Sequence, residues 1–383
     1  GRQLPGTVMR RQRGFTLLIA LLIVLVLGAS LFLRAHEGTA GHRAERAAAE
    51  ARAVGQSRDA LIAYALAGGA SNHPGALPCP DTDGDGVTDG TSCQGAALYL
   101  GRLPHETLDI RPDDRFGAND FWLVVDHDFA DWNPPPVNPD STADLEVDGV
   151  SGFAAALIVA GDPVAGQDAS TDMAADHLED ENADGDASFA TCDTDTCNDR
   201  VVGLKKEELL DPVRRRLLGL VHAELVAFRD AKGYLPYAAA LGDPDGECSA
   251  GTTRGGLPVD DAGCASGDAL SLEAWVTANL WHRWVYYAVA DACRPGGAGC
   301  TAGASSLLSL AGTADRAVVF ASVGEPIVST AKGSMQDRTG VIPHDVEEYL
   351  DSPENVDLDE TFDDPDNASG ENDRLRAVAA PAS

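Results

Sequence analysis

The stretch AALIVAGDP, residues 155–163, is answered by AVVFASVGEP, residues 317–326, and the reading of that pair decides the fold. Each is an apolar run of strand length closed by a glycine, an acid and a proline, the turn residues that bound a buried strand. Five more pairs follow in the same order. LIAY at 61–64 is matched by LVAF at 225–228, GALP at 75–78 by GYLP at 233–236, and GRLP at 101–104 by GGLP at 255–258. FWLVVD at 121–126 is matched by RWVYYAVAD at 283–291. LEDENADGDASF at 178–189, with NDR at 198–200, is matched by YLDSPENVDLDETF at 349–362, with NDR at 372–374. Weak matches kept in one order mark a tandem duplication, with expected units at residues 56–206 and 207–378.

Each unit is expected to begin with a helix, cross a Pro/Gly loop and continue into short strands such as FWLVVD, FAAALIVA, WVYYAVA and RAVVFAS. A helix laid on a small, mainly antiparallel sheet is the natural way to bury such elements. In the second unit the helix falls within residues 205–233, where Leu217, Leu220, Val221, Leu225 and Phe228 recur at steps of three and four. That stripe reads as core.

Residues 10–38, RRQRGFTLLIALLIVLVLGASLFLRAHEG, carry no charge from Phe15 to Leu33, about the length that crosses a bilayer. Arg10, Arg11 and Arg13 precede the run, which orients the short N-terminus to the cytoplasm. The expectation is a single-pass inner-membrane protein with its head in the periplasm, and a helix over 15–55 that continues into an Ala-, Arg- and Glu-rich stretch. Gly38, Gly41 and Gly55 weaken that continuation.

A basic leader ending in Gly14, then Phe15-Thr16-Leu17-Leu18 opening an uncharged helix, resembles the prepilin signal of type IV pilins and type II secretion pseudopilins. The resemblance implies a leader over 1–14, translation from Met9, cleavage between Gly14 and Phe15 by a prepilin peptidase, and methylation of Phe15. It also implies packing against other pilin or pseudopilin subunits through the helix. The family usually has glutamate as the fifth residue after the cut, where this chain has Ile19, so the chain is similar to minor, tip-placed members. In the head, LPCPDTDGDG, GRLPHETL, DDRFGANDFWLVV and AGDPVAGQ resemble a group of proteins with prepilin-type leaders. The fold class expected is therefore α+β: a long N-terminal transmembrane helix, then two pilin-like units with long disulfide-closed loops.

All eight cysteines lie after this segment. An even number in an oxidising compartment pairs. Connectivity is not fixed by sequence, but spacing favours neighbours: Cys79 with Cys93, Cys192 with Cys197, Cys248 with Cys264, and Cys293 with Cys300. A zinc site fits less well, since there is no Cys-x-x-Cys and no histidine at metal spacing. The net charge of −33 argues against nucleic acid as a partner.

DTDGDGVTDG at 81–90 places Asp81, Asp83, Asp85 and Asp89 at positions 1, 3, 5 and 9 of a calcium loop, with Gly86 at the sharp turn and the Val87 carbonyl at position 7. Position 12 is Ser92 instead of Glu. Calcium is the expected cofactor here, and LEDENADGD and DSPENVDLDE are weaker, irregular versions. Catalytic patterns are thin. Neither GxSxG nor HExxH occurs; PHETLD at 104–109 and STAK at 329–332 are fragments of motifs whose other parts are missing. The expected function is non-enzymatic: a minor pilin or pseudopilin with a structural role in a filament. The alternative is a membrane-tethered, adhesin-like binding protein.

Overall fold

The computed structural model describes residues 13–69, 72–90, 93, 98–111, 121–131, 136–168, 171, 173–339, 341–363 and 372–382. The chain divides into two units, residues 1–56 with 112–117, and residues 57–111 with 118–383. Helix α1 runs Arg13–Ala67, with side chains described at Ile19, Leu21–Val26 and from Glu45 onward. Among the described residues no helix is long and apolar enough to cross a membrane. This corrects the expected transmembrane helix, the single-pass inner-membrane placement and the membrane-tethered alternative. From Glu45 the helix is rich in Ala, Arg and Glu. In place of a membrane-headed fold, the described elements of the larger unit build two six-stranded mixed sheets.

The first sheet contains β1 (Leu98–Arg102), β2 (Phe121–Asp126), β3 (Leu145–Val147), β4 (Val150–Val159), β5 (Ser188–Phe189) and β6 (Arg200–Lys205). Their order is β1-β2-β4-β3-β5, with β6 paired to β4. The second contains β7 (Arg254–Gly256), β8 (Val285–Val289), β9 (Leu308–Leu310), β10 (Thr313–Ser322), β11 (Thr361–Phe362) and β12 (Arg374–Ala379). Its order is β7-β8-β10-β9-β11, with β12 paired to β10, the same diagram strand for strand. In each, only the short pair β3–β5 or β9–β11 is parallel. Even the irregularities repeat. The β4–β6 register slips between Phe153 and Ala155, and the β10–β12 register between Arg316 and Val318.

The strands form where the sequence is β-branched and aromatic. All six residues of β2 are buried, so both faces of the first sheet are covered at that strand. On one face Trp122 and Val124 stand opposite Ile158 and Ala156, and close a core with Leu145, Val147, Leu178, Phe189 and Val201.

Helix α2 (Lys206–Lys232) follows β6 with no residue between. The Glu208 side chain turns back to accept from the Lys205 N–H (3.1 Å), capping its start. Gly233, at φ 79°, ends it in the left-handed conformation that glycine adopts without a Cβ penalty. Its buried side includes Leu209, Leu210, Val213, Leu217, Leu218, Val221, Leu225 and Phe228, wider than a single stripe. The width has a cause: α2 packs on β4 and β6 of the first sheet and on β10 and β12 of the second. The last turns of α1 lie beside it, where Arg216 Nη1 donates to the Leu66 carbonyl (3.0 Å) and Arg58 pairs with Glu208.

Candidate functional site

The acidic loop after Cys79 is held to the first sheet at its first residue. Asp81 exchanges both backbone hydrogen bonds with Arg102 of β1 (2.9 and 2.7 Å). Its side chain is buried, and Oδ1 accepts from the N–H of Asp83 (3.1 Å) and Gly84 (2.7 Å) while Oδ2 accepts from Gly86 (2.7 Å). Gly86 sits at φ 83°, and a Cβ there would strike the His105 ring. Asp89 Oδ2 closes the loop by accepting from Thr82 N (2.7 Å) and Oγ1 (2.6 Å). Carboxylate oxygens of Asp81, Asp83 and Asp89 lie within 4.8 Å of one another. Asp85 is not in that group, and its Oδ1 accepts from Val87 N (2.8 Å). The geometry therefore gathers three of the four expected acids. Asp83 is raised above the usual carboxylate range: the Asp85 N–H lowers it, but the charges of Asp85, Asp89 and Asp81 and desolvation outweigh that. Such crowding is what a divalent cation relieves. Ser92 lies outside the described residues.

The eight cysteines are joined as Cys79–Cys93, Cys192–Cys197, Cys248–Cys264 and Cys293–Cys300. Glu179 approaches the second of these, but oxidised sulfurs are not thiolate ligands, so that cluster is no metal centre. Residues 1–12 of the expected leader lie outside the described residues; Gly14 and Phe15 fall within α1, and their side chains also lie outside the described ones. In STAK, Lys332 Nζ is tied to Glu348 (2.5 and 2.7 Å) and Ser329 Oγ accepts from Lys332 N (3.1 Å). In PHETLD, residues 105–109 form turns, with Glu106 N donating to the Gly86 carbonyl (2.8 Å).

Among the described residues neither LEDENADGD nor DSPENVDLDE gathers three carboxylates as the 81–89 loop does. They belong to one buried polar network that each half builds from equivalent residues. In the first half Gln167 Nε2 donates to Glu179 Oε1 (2.7 Å), and Asn198 N donates to Glu179 Oε2 (3.2 Å). Glu179 N in turn donates to Asp199 Oδ2 (3.0 Å). Asn182 exchanges two hydrogen bonds with the backbone of Ala190 (3.0 and 2.9 Å). In the second half Gln336 Nε2 donates to Asp351 Oδ1 (3.1 Å), Asn372 N to Asp351 Oδ2 (2.8 Å), and Asp351 N to Asp373 Oδ2 (2.9 Å). Asn355 there exchanges the same two bonds with Asp363 (3.2 and 2.8 Å). Both asparagines of the NDR repeats sit against a glycine, Asn198 on Gly161 and Asn372 on Gly324, with no room for a Cβ. The network pins the loop after β4 or β10 to the start of β6 or β12.

The halves differ in charge around this network. Two guanidiniums, Arg214 and Arg338, face Asp373 and pull its carboxyl down, yet burial first and then Asp351 raise it to about 7. Burial also raises Asp199, to about 6, against hydrogen bonds from Glu179 N and Asn182, with the Glu179 charge adding to the rise. Arg214 is buried and donates to the carbonyls of Ser322 (2.7 Å) and Asn372 (2.6 Å). Burial lowers it to about 10, so it stays charged at neutral pH. Beside it, Lys206 bridges the halves, donating to the carbonyls of Pro139 and Ser141 (both 3.1 Å) and pairing with Glu325 (3.1 Å).

None of the glutamine, asparagine and aspartate roles was assigned from the sequence. The signal was present in the recurrence of GDP/GEP, LED/LDS and NDR in fixed order, which marked the duplication without revealing that the three blocks meet. No family model, curated protein or solved structure matches the chain, and nothing in those comparisons ties it to a pilus.

Proposed function

We propose that the chain is a structural subunit, a minor pilin or pseudopilin at or near the end of a filament, whose duplicated head serves assembly in an oxidising compartment. The observation that carries the reading is the duplication. Two sheets of identical strand order share one helix, and four disulfides close loops of the same body. Such a head presents two related surfaces held rigidly together, which suits contact with neighbouring subunits. The prepilin-like Gly14-Phe15 junction supports the same class. Prepilin peptidase and other pilin or pseudopilin subunits are the partners this reading names. Calcium in the 81–89 loop, held by Asp81, Asp83 and Asp89, belongs to it as a stabilising ion that neutralises crowded carboxylates.

The test is crosslinking in cells followed by mass spectrometry of the captured neighbours, with the intact mass of the native protein. Neighbours carrying prepilin-type leaders and an N-terminus at Phe15 are the expected result. Capture of none, or an uncut N-terminus in a strain with active peptidase, overturns the reading.

A further inference from the structure

We propose that Cys192, Cys197 and Glu179 form a redox-gated zinc site: joined as a disulfide the sulfurs hold no metal, and once reduced they take Zn²⁺ together with one Glu179 oxygen. One ligand atom from each of the three lies within 4.8 Å of the other two. Ligand atoms on tetrahedral zinc stand about 3.5–3.8 Å apart, so cleaving the S–S bond asks only a small outward movement of the sulfurs. Other bonds keep the cysteines in place once that one is gone. Cys192 N donates to the Asp199 carbonyl (3.0 Å), Thr194 N to the Cys197 carbonyl (2.7 Å), and Cys197 N to Thr194 Oγ1 (3.0 Å). Gln167 and the Asn198 N–H orient the Glu179 carboxylate, one on each oxygen, and each oxygen keeps a second lone pair for a metal.

A separate observation marks the same place. Asp199 is fully buried beside Glu179, and its Oδ2 accepts from Glu179 N (3.0 Å) and Asn182 Nδ2 (3.2 Å), but its Oδ1 accepts from none of the described residues. Asp199 stands outside the three converging ligands, so its Oδ1 is placed to accept from a water in the fourth position of the zinc. The second half repeats the frame and omits this chemistry. Asp351 takes the hydrogen bonds that Glu179 takes, yet residues 363–371 contain no cysteine, and Asp373 Oδ1 accepts from Gly324 N (3.2 Å). Two thiolates beside a carboxylate select zinc over calcium, which prefers oxygen alone.

Cys192–Cys197 is also the pair that reduction reaches at least cost. It spans 5 residues, against 7, 14 and 16 for the other three, so cleaving it forfeits the least chain-entropy stabilisation. Cys192 is half-buried and Asp193–Thr196 are exposed, which opens the bond to a dithiol reductant. One thiolate of the reductant attacks Cys192 Sγ and Cys197 leaves as its thiol. The second thiolate of the reductant then displaces Cys192 and closes the reductant's own disulfide, so two electrons and two protons pass to the chain. Zinc replaces the two thiol protons, which go to solvent.

The experiment reduces the full chain stepwise with a dithiol, identifies the freed cysteines by alkylation and peptide mass, and titrates the product with Co²⁺ and then Zn²⁺. Cys192 and Cys197 should be freed first. Cobalt should then give a thiolate-to-metal charge-transfer band that zinc abolishes, and the oxidised chain should give none. The band reports sulfur, so ions held by the carboxylates of the 81–89 loop do not contribute. Cys192→Ser, at the more exposed sulfur, should weaken zinc binding by about tenfold or more, and Glu179→Gln should do the same with both thiols intact. No band in chain freed at Cys192 and Cys197 overturns the proposal, as does prior reduction of another pair. Zinc affinity unchanged in Cys192→Ser or in Glu179→Gln also overturns it.

Discussion

Arg338, in the loop after β10, reaches Asp140, in the loop before β3, with Nη1 3.2 Å from Oδ1. The guanidinium also donates to the carbonyls of Glu348 (2.7 Å) and Gly324 (2.8 Å) and to Gln336 Oε1 (3.1 Å). It lies over the Trp284 and Tyr349 rings, 5.6 and 5.3 Å from their centroids. One side chain therefore fastens the first half to the second. Arg338→Met should cost about 3 kcal/mol, because it strands several acceptors and a partly buried carboxylate. Asp140→Asn, which keeps an acceptor oxygen, should cost about 1 kcal/mol. Urea unfolding of both variants measures the order, and a larger loss in Asp140→Asn contradicts it.

Millimolar calcium should raise the melting temperature of the full chain relative to chelator, since a ligand that binds only the folded state stabilises it by mass action. Magnesium, which demands tighter octahedral geometry, should do less. Asp81→Asn with Asp83→Asn should abolish the shift. Asp85→Asn should leave most of it, because Asp85 stands apart from the convergent oxygens. Unchanged melting with calcium identifies an acidic turn.

Asp373 gives a pH dependence of definite sign. Its folded value, about 7, lies above the roughly 3.9 of an unfolded aspartate. The folded protein therefore holds a proton that the unfolded chain has released. Stability from this group is fully present below about pH 4, falls as pH rises to about 7 and is level beyond. Asp373→Asn should flatten that slope in unfolding curves taken at several pH values. A stability that rises over the same window is the contrary result.

The disulfides should rank by the chain they close. Cys248–Cys264 and Cys79–Cys93 span 16 and 14 residues, Cys192–Cys197 only 5. Replacing the Cys248–Cys264 pair with serine should cost about 3 kcal/mol, and replacing Cys192–Cys197 distinctly less. Differential scanning calorimetry of the paired variants compares them.

Gly161→Ala and Gly324→Ala should each destabilise by roughly 1–3 kcal/mol, because the new methyl meets the Asn198 or Asn372 side chain. Gly149→Ala has open space but φ 75°, so its cost is backbone strain alone. Thermal melts of the three variants separate packing from strain.

The sequence made some of this legible and hid the rest for physical reasons. FWLVVD and RAVVFAS stand in strands β2 and β10 because β-branched and aromatic runs have few other stable conformations. Strands β3 and β5, of three and two residues, are too short to leave a pattern. Leu220, placed on the apolar stripe of the second helix by spacing, is only half-buried, while Leu209, Leu210 and Leu218 are buried. A helix covered by two sheets buries adjacent residues, which a single-face periodicity does not anticipate. The membrane reading rested on the composition of 15–33, and among the described residues no helix is long and apolar enough to cross a membrane. In the acidic loop, alternation alone could not distinguish Asp89, which joins Asp81 and Asp83, from Asp85, which turns to its own backbone.

Lys205 ends β6 and Lys206 begins α2, and α2 then packs on β12, the last strand of the other sheet. That junction has no slack. Tension applied at the C-terminal strand passes through α2 to β6 without first straightening a linker, so both copies bear the load together. A pull that detaches β12 must shear it from β10, along a register that runs from Arg316–Ala379 to Ser322–Arg374, before the chain can lengthen. Mechanically the duplicated head is one spring, stiff at its midpoint, and not two beads on a string.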